Sequence, residues 1–360
     1  MTNIATKGET PKSATTDEIF MRRCIQLARN SEGRTYPNPM VGAVIVCDGK
    51  IIGEGWHRKA GCPHAEVNAI RSVRNPELLT RSTIYVSLEP CAHFGRTPPC
   101  ADLIIEKRIP RVVVGCGDTF AKVSGRGIQK LRDAGISVTV GVREEECREL
   151  NRRFFTLQEK KRPYVILKWA QTADGYIGNI RDGLPAPAKI SNREALTIAH
   201  RQRTTEDGIL IGAGTAVTDD PRLTPRLWDG PAPLRIVVNT RGELPEGLKL
   251  LTDGGRTLII NPERSLEKGN VKYFRGDFAN KDVAGVAIEA AGAEGLTSVI
   301  VEGGAKTLSA FIESGLWDEA WVFEADSCLG SGVEAPAFRG GQIVESRHLG
   351  DCMLRVFRNK

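Results

Sequence analysis

The sequence predicts an α/β protein of two tandem domains. Three observations support this. The chain has 360 residues, more than one ordinary domain needs. Short β-rich runs alternate with helical patterns from residue 17 onward. The alternation breaks once, at a charged stretch, residues 143–160, which Arg162-Pro163 brings to a stop. With 41% hydrophobic and 26% charged residues, the chain can build packed cores and is not disordered throughout. No apolar run reaches the roughly 18 residues of a membrane span. Residues 1–16 are polar, lack the apolar stretch of a secretory signal and read as a flexible tail, so a cytoplasmic protein with no membrane partner is expected. The net charge of +6 is mildly basic and suits an anionic small substrate, weak nucleic-acid affinity or nothing specific. No Lys/Arg-rich block with interleaved aromatics occurs, so no nucleic-acid partner is expected.

The first domain is expected over residues 17–145. Asp17 can cap a helix running to about Arg29. Two strands, Val41–Cys47 and Ile51–Gly55, are joined by Asp48-Gly49, a tight hairpin signal. A helix follows Pro63 and carries Glu66 and Ile70; then come strand Thr83–Ser87 and a Pro/Gly-rich loop up to Pro99. The remaining elements are helix Cys100–Lys107, strand Val112–Cys116, helix Gly127–Asp133 and strand Ser137–Val140. Residues 146–162 read as a connecting helix, and 163–360 as the second domain. Its strands are Tyr164–Trp169, Gly208–Gly212, Leu234–Asn239, Thr257–Ile260, Ser298–Val301 and Glu319–Glu324, with a helix at Ala305–Ser314.

Nine cysteines, an odd number without an export signal, argue against a disulfide framework. Three fragments instead have metal-site chemistry: His64-Ala65-Glu66, Pro90-Cys91 and Pro99-Cys100. His64, Cys91 and Cys100 give three zinc ligands and leave a fourth position for water. Glu66 is placed to move protons without ligating. The His-x-Glu and Pro-Cys pattern is the one general to zinc deaminases. Each cysteine is expected at a helix N-terminus, where the dipole favours thiolate. Two other readings are an ordinary helix-start histidine with core cysteines, and a structural zinc with Cys62 or His93 as fourth ligand. The spacing departs from the usual two residues: eight separate Cys91 from Cys100.

That insert, with Thr35-Tyr36-Pro37-Asn38-Pro39-Met40-Val41-Gly42, Gly53-Glu54-Gly55-Trp56-His57 and Leu88-Glu89-Pro90-Cys91 before it, resembles the bifunctional deaminase/reductase family of riboflavin biosynthesis. The resemblance implies a cytidine-deaminase-like αβα zinc domain acting on a phosphoribosylated diaminopyrimidinone. It assigns His64, Cys91 and Cys100 to zinc and Glu66 to proton transfer. Asn38 and His57 fall at the pyrimidine, Arg96 at the ribose phosphate and Asp118 in a loop over the substrate.

The second domain has no Gly-x-Gly-x-x-Gly after a strand, so a Rossmann fingerprint is absent. It carries Lys168-Trp169-Ala170-Gln171-Thr172-Ala173-Asp174-Gly175, Gly212-Ala213-Gly214-Thr215, Asp219-Asp220-Pro221-Arg222-Leu223-Thr224 and Val301-Glu302-Gly303-Gly304. These are similar to the reductase half of the same family, a dihydrofolate-reductase-like α/β fold using NADPH. By position, Gln171, Lys189, Thr215, Asp219 and Thr240 are implied as cofactor contacts. Gly304, Ala305, Lys306, Thr307, Leu308, Ser309 and Ala310 form the pyrophosphate turn and helix. Pro187, Arg203, Leu223, Arg226 and Glu302 are implied as substrate contacts. Lys189 stands where relatives commonly carry an aromatic residue. Relatives' reductase halves commonly associate, so a homodimer or homotetramer is expected.

Two other readings compete. A tRNA deaminase would share His-Ala-Glu and zinc but offers no role for residues 163–360. A deaminase with an inactive second domain would differ by failing to bind NADPH.

Overall fold

The computed structural model describes residues 14–92, 94, 98–119, 125–241 and 244–359. The chain divides into two compact units, one of residues 1–35 and 39–151, the other of residues 36–38 and 152–360.

In the first unit, α1 (Thr16–Arg29) precedes β1 (Gly42–Cys47), β2 (Lys50–Trp56), α2 (Ala65–Ser72) and β3 (Thr83–Leu88). Then come α3 (Cys100–Glu106), β4 (Arg111–Cys116), α4 (Arg126–Asp133), β5 (Ser137–Val140) and α5 (Glu144–Leu150). The strands form one sheet in the order β2-β1-β3-β4-β5. β1 is antiparallel to β2 and β3, and β3, β4 and β5 run parallel. Every residue of β1 is buried, because helices cover the sheet on both faces.

Two expectations need correction. The cap of α1 is Thr15, in a capping box with Glu18, not Asp17. Asp17 lies in the first turn, where its carboxylate takes Arg111 at 2.6 Å and the Tyr85 hydroxyl at 2.8 Å. The helix expected through residue 160 stops at Asn151 and restarts as α6 (Arg152–Lys160). Asn151 spends its side chain on the backbone of Met40, accepting its N–H and donating to its carbonyl.

The second unit continues with β6 (Tyr164–Thr172), β7 (Tyr176–Arg181), β8 (Leu184–Ala186), α7 (Arg193–Arg203), β9 (Gly208–Gly212) and α8 (Ala213–Asp219). Next are β10 (Leu234–Val238), α9 (Lys249–Thr252), β11 (Thr257–Asn261), β12 (Leu266–Lys268) and β13 (Val271–Arg275). It closes with α10 (Val283–Ala293), β14 (Ser298–Glu302), α11 (Ala305–Ser314), β15 (Glu319–Ala325), β16 (Val333–Glu334), β17 (Gln342–Leu349) and β18 (Cys352–Arg358). Ten strands form one sheet in the order β12-β13-β11-β10-β9-β14-β6-β15-β18-β17. The seven from β13 to β15 are parallel. Alternate residues feed two cores. Leu210, Ile236, Val238 and Leu258 pack with α10 and α11, while Ile209, Ile211, Val237 and Ile259 pack with Ala216 of α8 on the other face. β14 comes late in the chain yet inserts between β9 and β6. The carboxyl ends of β6, β9 and β14 therefore lie side by side, where parallel sheets bind ligands.

Candidate active sites

In the first unit two glycines set the position of α2. A Cβ on Gly55 would lie 2.3 Å from Ala69 N and 2.6 Å from Ala65 O; one on Gly53 would lie 2.6 Å from Ala69 O. Only glycine lets α2 rest directly on β2. His64 caps that helix with extended backbone, and Glu66 falls in its buried first turn. Asn68 ties the turn down by donating to the carbonyls of Trp56 and Pro63.

The donor atoms of His64, Cys91 and Cys100 lie within 4.8 Å of one another, the one such metal-competent group found among the described residues. His64 Nδ1 is 3.3 Å from Cys100 Sγ and 3.6 Å from Cys91 Sγ. Tetrahedral zinc, about 2.3 Å from sulfur and 2.1 Å from nitrogen, needs donors roughly this far apart. The residues present therefore fit the metal. Cys62 is exposed and outside the cluster, and His93 lies outside the described residues. The expectation of two cysteines at helix N-termini holds only for Cys100, which opens α3. Cys91 sits in the preceding loop and borrows the same helix end: Cys100 N–H donates to its Sγ at 3.3 Å and Ala101 N–H to its carbonyl at 3.2 Å.

The electrostatics follow from that packing. Hydrogen bonding from Cys100, aided by His64 and the α3 N–H, pulls the Cys91 thiol down to about 4, while Cys100 is driven up. The hydrogen bond to Cys91 raises His64 to about 9. Burial pushes the Glu66 carboxyl up to about 7 against the opposing charge of His64. His57 is buried, packs edge-on to His64 at 5.6 Å between ring centroids, and has Nδ1 3.2 Å from the Pro63 carbonyl. Burial lowers its pKa.

In the second unit, β9 ends in Gly212 and β14 is followed by Gly303-Gly304, each glycine turn leading into a helix. A Cβ on Gly212 would lie 2.4 Å from Thr307 Oγ1, so the turn before α8 admits no side chain. Gly304 N–H donates to Thr215 Oγ1 at 2.9 Å and joins the two turns. No side chain caps the N-terminus of α11 among the described residues. Thr307 N–H donates to the Gly304 carbonyl at 3.1 Å, so an anion at this helix end would meet the N–H groups ahead of it, which fits the pyrophosphate of a dinucleotide.

Beside these turns stands a buried charge cluster. Arg203 donates to Glu302 through Nε at 3.1 Å and Nη2 at 2.7 Å, and through Nη1 to the Thr224 carbonyl. Lys168, directly across the ladder from Glu302, has Nζ 3.9 Å from its carboxylate. Burial would raise Glu302, but Arg203 and Lys168 outweigh it and hold it at about 2. His200 accepts the Leu227 N–H at Nδ1. Burial and the charges of Arg203 and Arg226 depress it to about 4. Leu223 is buried with φ +55°, a strained conformation for a branched side chain.

A family profile described as the RibD C-terminal domain matches residues 163–358. A second, the cytidine and deoxycytidylate deaminase zinc-binding region, matches residues 14–116. The RibD protein of Aquifex aeolicus is 41% identical over 325 residues, 88% of this chain and 89% of its own length. The chain belongs to the RibD family. Escherichia coli RibD is 32% identical over 367 residues, covering 93% of this chain and 97% of its own. A Thermotoga maritima diaminohydroxyphosphoribosylaminopyrimidine deaminase/5-amino-6-(5-phosphoribosylamino)uracil reductase superposes with TM-score 0.86 at 35% identity, over 96% of this chain and 99% of that one. Acinetobacter baumannii RibD gives 0.85 at 30% identity, over the same shares. As in RibD, one chain carries a deaminase domain of the zinc-binding cytidine-deaminase type and a reductase domain, and it is a bifunctional enzyme of riboflavin biosynthesis. No helix among the described residues is long and apolar enough to cross a membrane.

Against this RibD frame the expected site residues fall unevenly. His64, Glu66, Cys91, Cys100 and His57 come together. Asp118 is held through its N–H by Glu89, Asn38 is exposed, and Arg96 lies outside the described residues. Thr215, Gly304 and Thr307 converge, while Leu308 is fully buried in the core and Lys306 is exposed. Gln171 accepts from Trp169 Nε1 and donates to Glu324. Lys189, Pro187, Asp219 and Thr240 are exposed. Three N–H groups of Arg203, an expected substrate contact, serve Glu302 and the Thr224 carbonyl.

Two residues escaped sequence reasoning as site elements. Glu89 is buried, and its carboxylate accepts four backbone N–H groups, of Asp118, Gly125, Gly127 and Ile128, at 2.9–3.3 Å. It ties the segment that delivers Cys91 to the start of α4. An acidic residue just before a Pro-Cys ligand was the available signal. His200 sits three residues before Arg203 on α7, a helix the sequence reading did not place.

Proposed function

We propose that the first unit deaminates 2,5-diamino-6-(5-phosphoribosylamino)pyrimidin-4(3H)-one and that the second reduces the ribosyl group of the product to ribityl with NADPH. The carrying observation is the His64, Cys91 and Cys100 triad with buried Glu66 beside it, on the same chain as a reductase unit. His64 Nδ1 and the two Sγ atoms would hold one zinc ion. When bound there, zinc acts as a Lewis acid and lowers the pKa of water toward 7. Glu66 takes a proton from the attacking water and delivers it to the departing ammonia, so the exocyclic amine is exchanged for oxygen. His57 and Asn38 orient the pyrimidine, Arg96 takes the ribose phosphate, and Asp118 closes the remaining side.

In the second unit the α11 N-terminus, with Gly304 to Ala310, would cradle the NADPH pyrophosphate. Thr215, Gln171, Lys189, Asp219 and Thr240 line its remainder. When bound, NADPH would supply the hydride that reduces C1′ of the ring-opened imine or aldehyde, with the accompanying proton coming from water or a substrate group. Arg226, and the N–H groups of Arg203 left over from Glu302, face the substrate phosphate. Leu223, Pro187 and Glu302 complete the substrate side. A homodimer or homotetramer is the expected assembly.

A stepwise assay tests this reading. Ammonia release without NADPH, followed by NADPH oxidation once it is added, is the expected sequence. Ammonia without oxidation would leave only the deaminase. No ammonia from zinc-loaded protein would remove the substrate proposed.

A further inference from the structure

The stretch between α8 and β10, residues 220–233, holds no helix or strand, yet it carries Leu223 and Arg226. Within residues 224–228, Arg226 N–H donates to the Thr224 carbonyl at 3.0 Å and Trp228 N–H to that of Pro225 at 3.4 Å. Neither bond ties this turn to the rest of the unit. The last turn of α7 does. Arg203 Nη1 donates to the Thr224 carbonyl at 3.2 Å, and His200 Nδ1 accepts the Leu227 N–H at 3.1 Å. The Arg201 guanidinium stands over the Trp228 ring, 5.5 Å from its centroid. Side chains of α7 thus grip the turn at both ends, and Arg226 lies between the grips with its side chain exposed.

His200 is the interior member of this set: it is buried, while Arg201 is exposed. A buried histidine is ordinarily a packed core side chain, and two observations argue for more here. The first is its surroundings. Burial and the nearby charges of Arg203, Arg226 and Lys168 disfavour its cation and outweigh Glu302. The ring therefore stays neutral, with its lone pair on Nδ1 turned to Leu227 and its proton on Nε2. The second is the destination of that bond. It reaches out of α7 to the residue after Arg226, from the helix face that also carries Arg203.

We propose that His200 is a positioning residue of the reductase site: by accepting the Leu227 N–H it fixes the turn that presents the Arg226 guanidinium to an anionic group of the substrate. The proposal rests on the reading of the second unit as the reductase of a phosphorylated substrate.

The test is reduction of 5-amino-6-(5-phosphoribosylamino)uracil supplied directly to the full-length protein. His200→Leu removes the acceptor and keeps much of the volume. Substrate KM should rise about tenfold, the worth of one such hydrogen bond, while kcat and NADPH affinity hold. His200→Asn, whose amide oxygen falls near the position of Nδ1, should recover most of the loss. Added to Arg226→Ala, His200→Leu should raise KM little further, because the two act through one contact. Hydrogen exchange at residues 224–228 should quicken in His200→Leu and return in His200→Asn. An unchanged KM in His200→Leu would overturn the proposal, as would a full additional loss on top of Arg226→Ala. A fall in kcat and thermal stability that His200→Asn does not relieve would mean a packing role and end it equally. A wild type that binds NADPH but oxidises none with this substrate would bring down the reductase reading itself, and this proposal with it.

Discussion

Glu66 and Glu302 are both buried glutamates, one in each unit, and their environments drive them in opposite directions. Burial acts on both to raise the pKa. At Glu66 the neighbouring His64 cannot offset it, and the carboxyl stands near 7. At Glu302, Arg203 and Lys168 reverse it, and the carboxyl stands near 2. The difference teaches what each group can do at neutral pH. Glu66 is poised to gain and lose a proton. Glu302 is a fixed negative charge that holds two cations in place, so it orients rather than transfers.

The sharpest way to break this contrast is Glu66→Gln. Ammonia release should fall by about 10²–10⁴-fold, the usual worth of a general acid–base group, while reduction of supplied deaminated substrate is unchanged. Loss of both activities in a folded variant would end the two-site reading. Next comes Arg203→Ala, which leaves Glu302 buried with Lys168 alone. The reductase unit should lose about 3 kcal/mol in denaturant unfolding, and substrate KM should rise with NADPH affinity nearly constant. If cofactor affinity falls equally, Arg203 serves the other ligand.

The fixed charge of Glu302 also carries a pH signature. A carboxyl depressed in the folded state contributes stability above its unfolded pKa of 4.5, and that contribution is lost as pH falls toward about 2. Between pH 6 and pH 3 it should amount to about 2 kcal/mol, read as the difference in acid sensitivity between wild type and Glu302→Gln. Equal acid sensitivity of the two proteins would refute the assignment. The smallest effect is expected at Glu89→Gln, which replaces one acceptor oxygen by an amide donor facing backbone N–H groups. Deaminase KM should rise several-fold, for a loss of about 1–2 kcal/mol, with zinc content intact. Zinc loss would instead mean that Glu89 supports the metal.

Legibility in the sequence followed locality. Gly42–Cys47 and Ser298–Glu302 are apolar runs long enough to announce buried strands, and both are strands. The triad was readable because each ligand has a distinctive neighbour: Glu66 after His64, and a proline before each cysteine. The four N–H donors of Glu89 lie 29–39 positions downstream, so no local pattern shows them. The sequence Arg-Glu-Ala-Leu-Thr-Ile-Ala-His-Arg-Gln-Arg of α7 buries only Ala195, Ala199, His200 and Gln202, too polar a face for a hydrophobic stripe to stand out. Lys168 reads as a strand residue, and only the register against β14 sets it beside Glu302.

The contact between Cys91 and the first N–H groups of α3 has a consequence for how such a protein can change. Both ends of the intervening stretch are fastened within one hydrogen bond of each other. A segment clamped at its base in this way is a loop whose length the rest of the domain does not sense strongly, because closure entropy grows only slowly with length. Residues can be added or removed between the clamps with little disturbance to the metal. The bond from the Cys100 N–H to Cys91 thus keeps the two sulfur donors together whatever the number of residues between them.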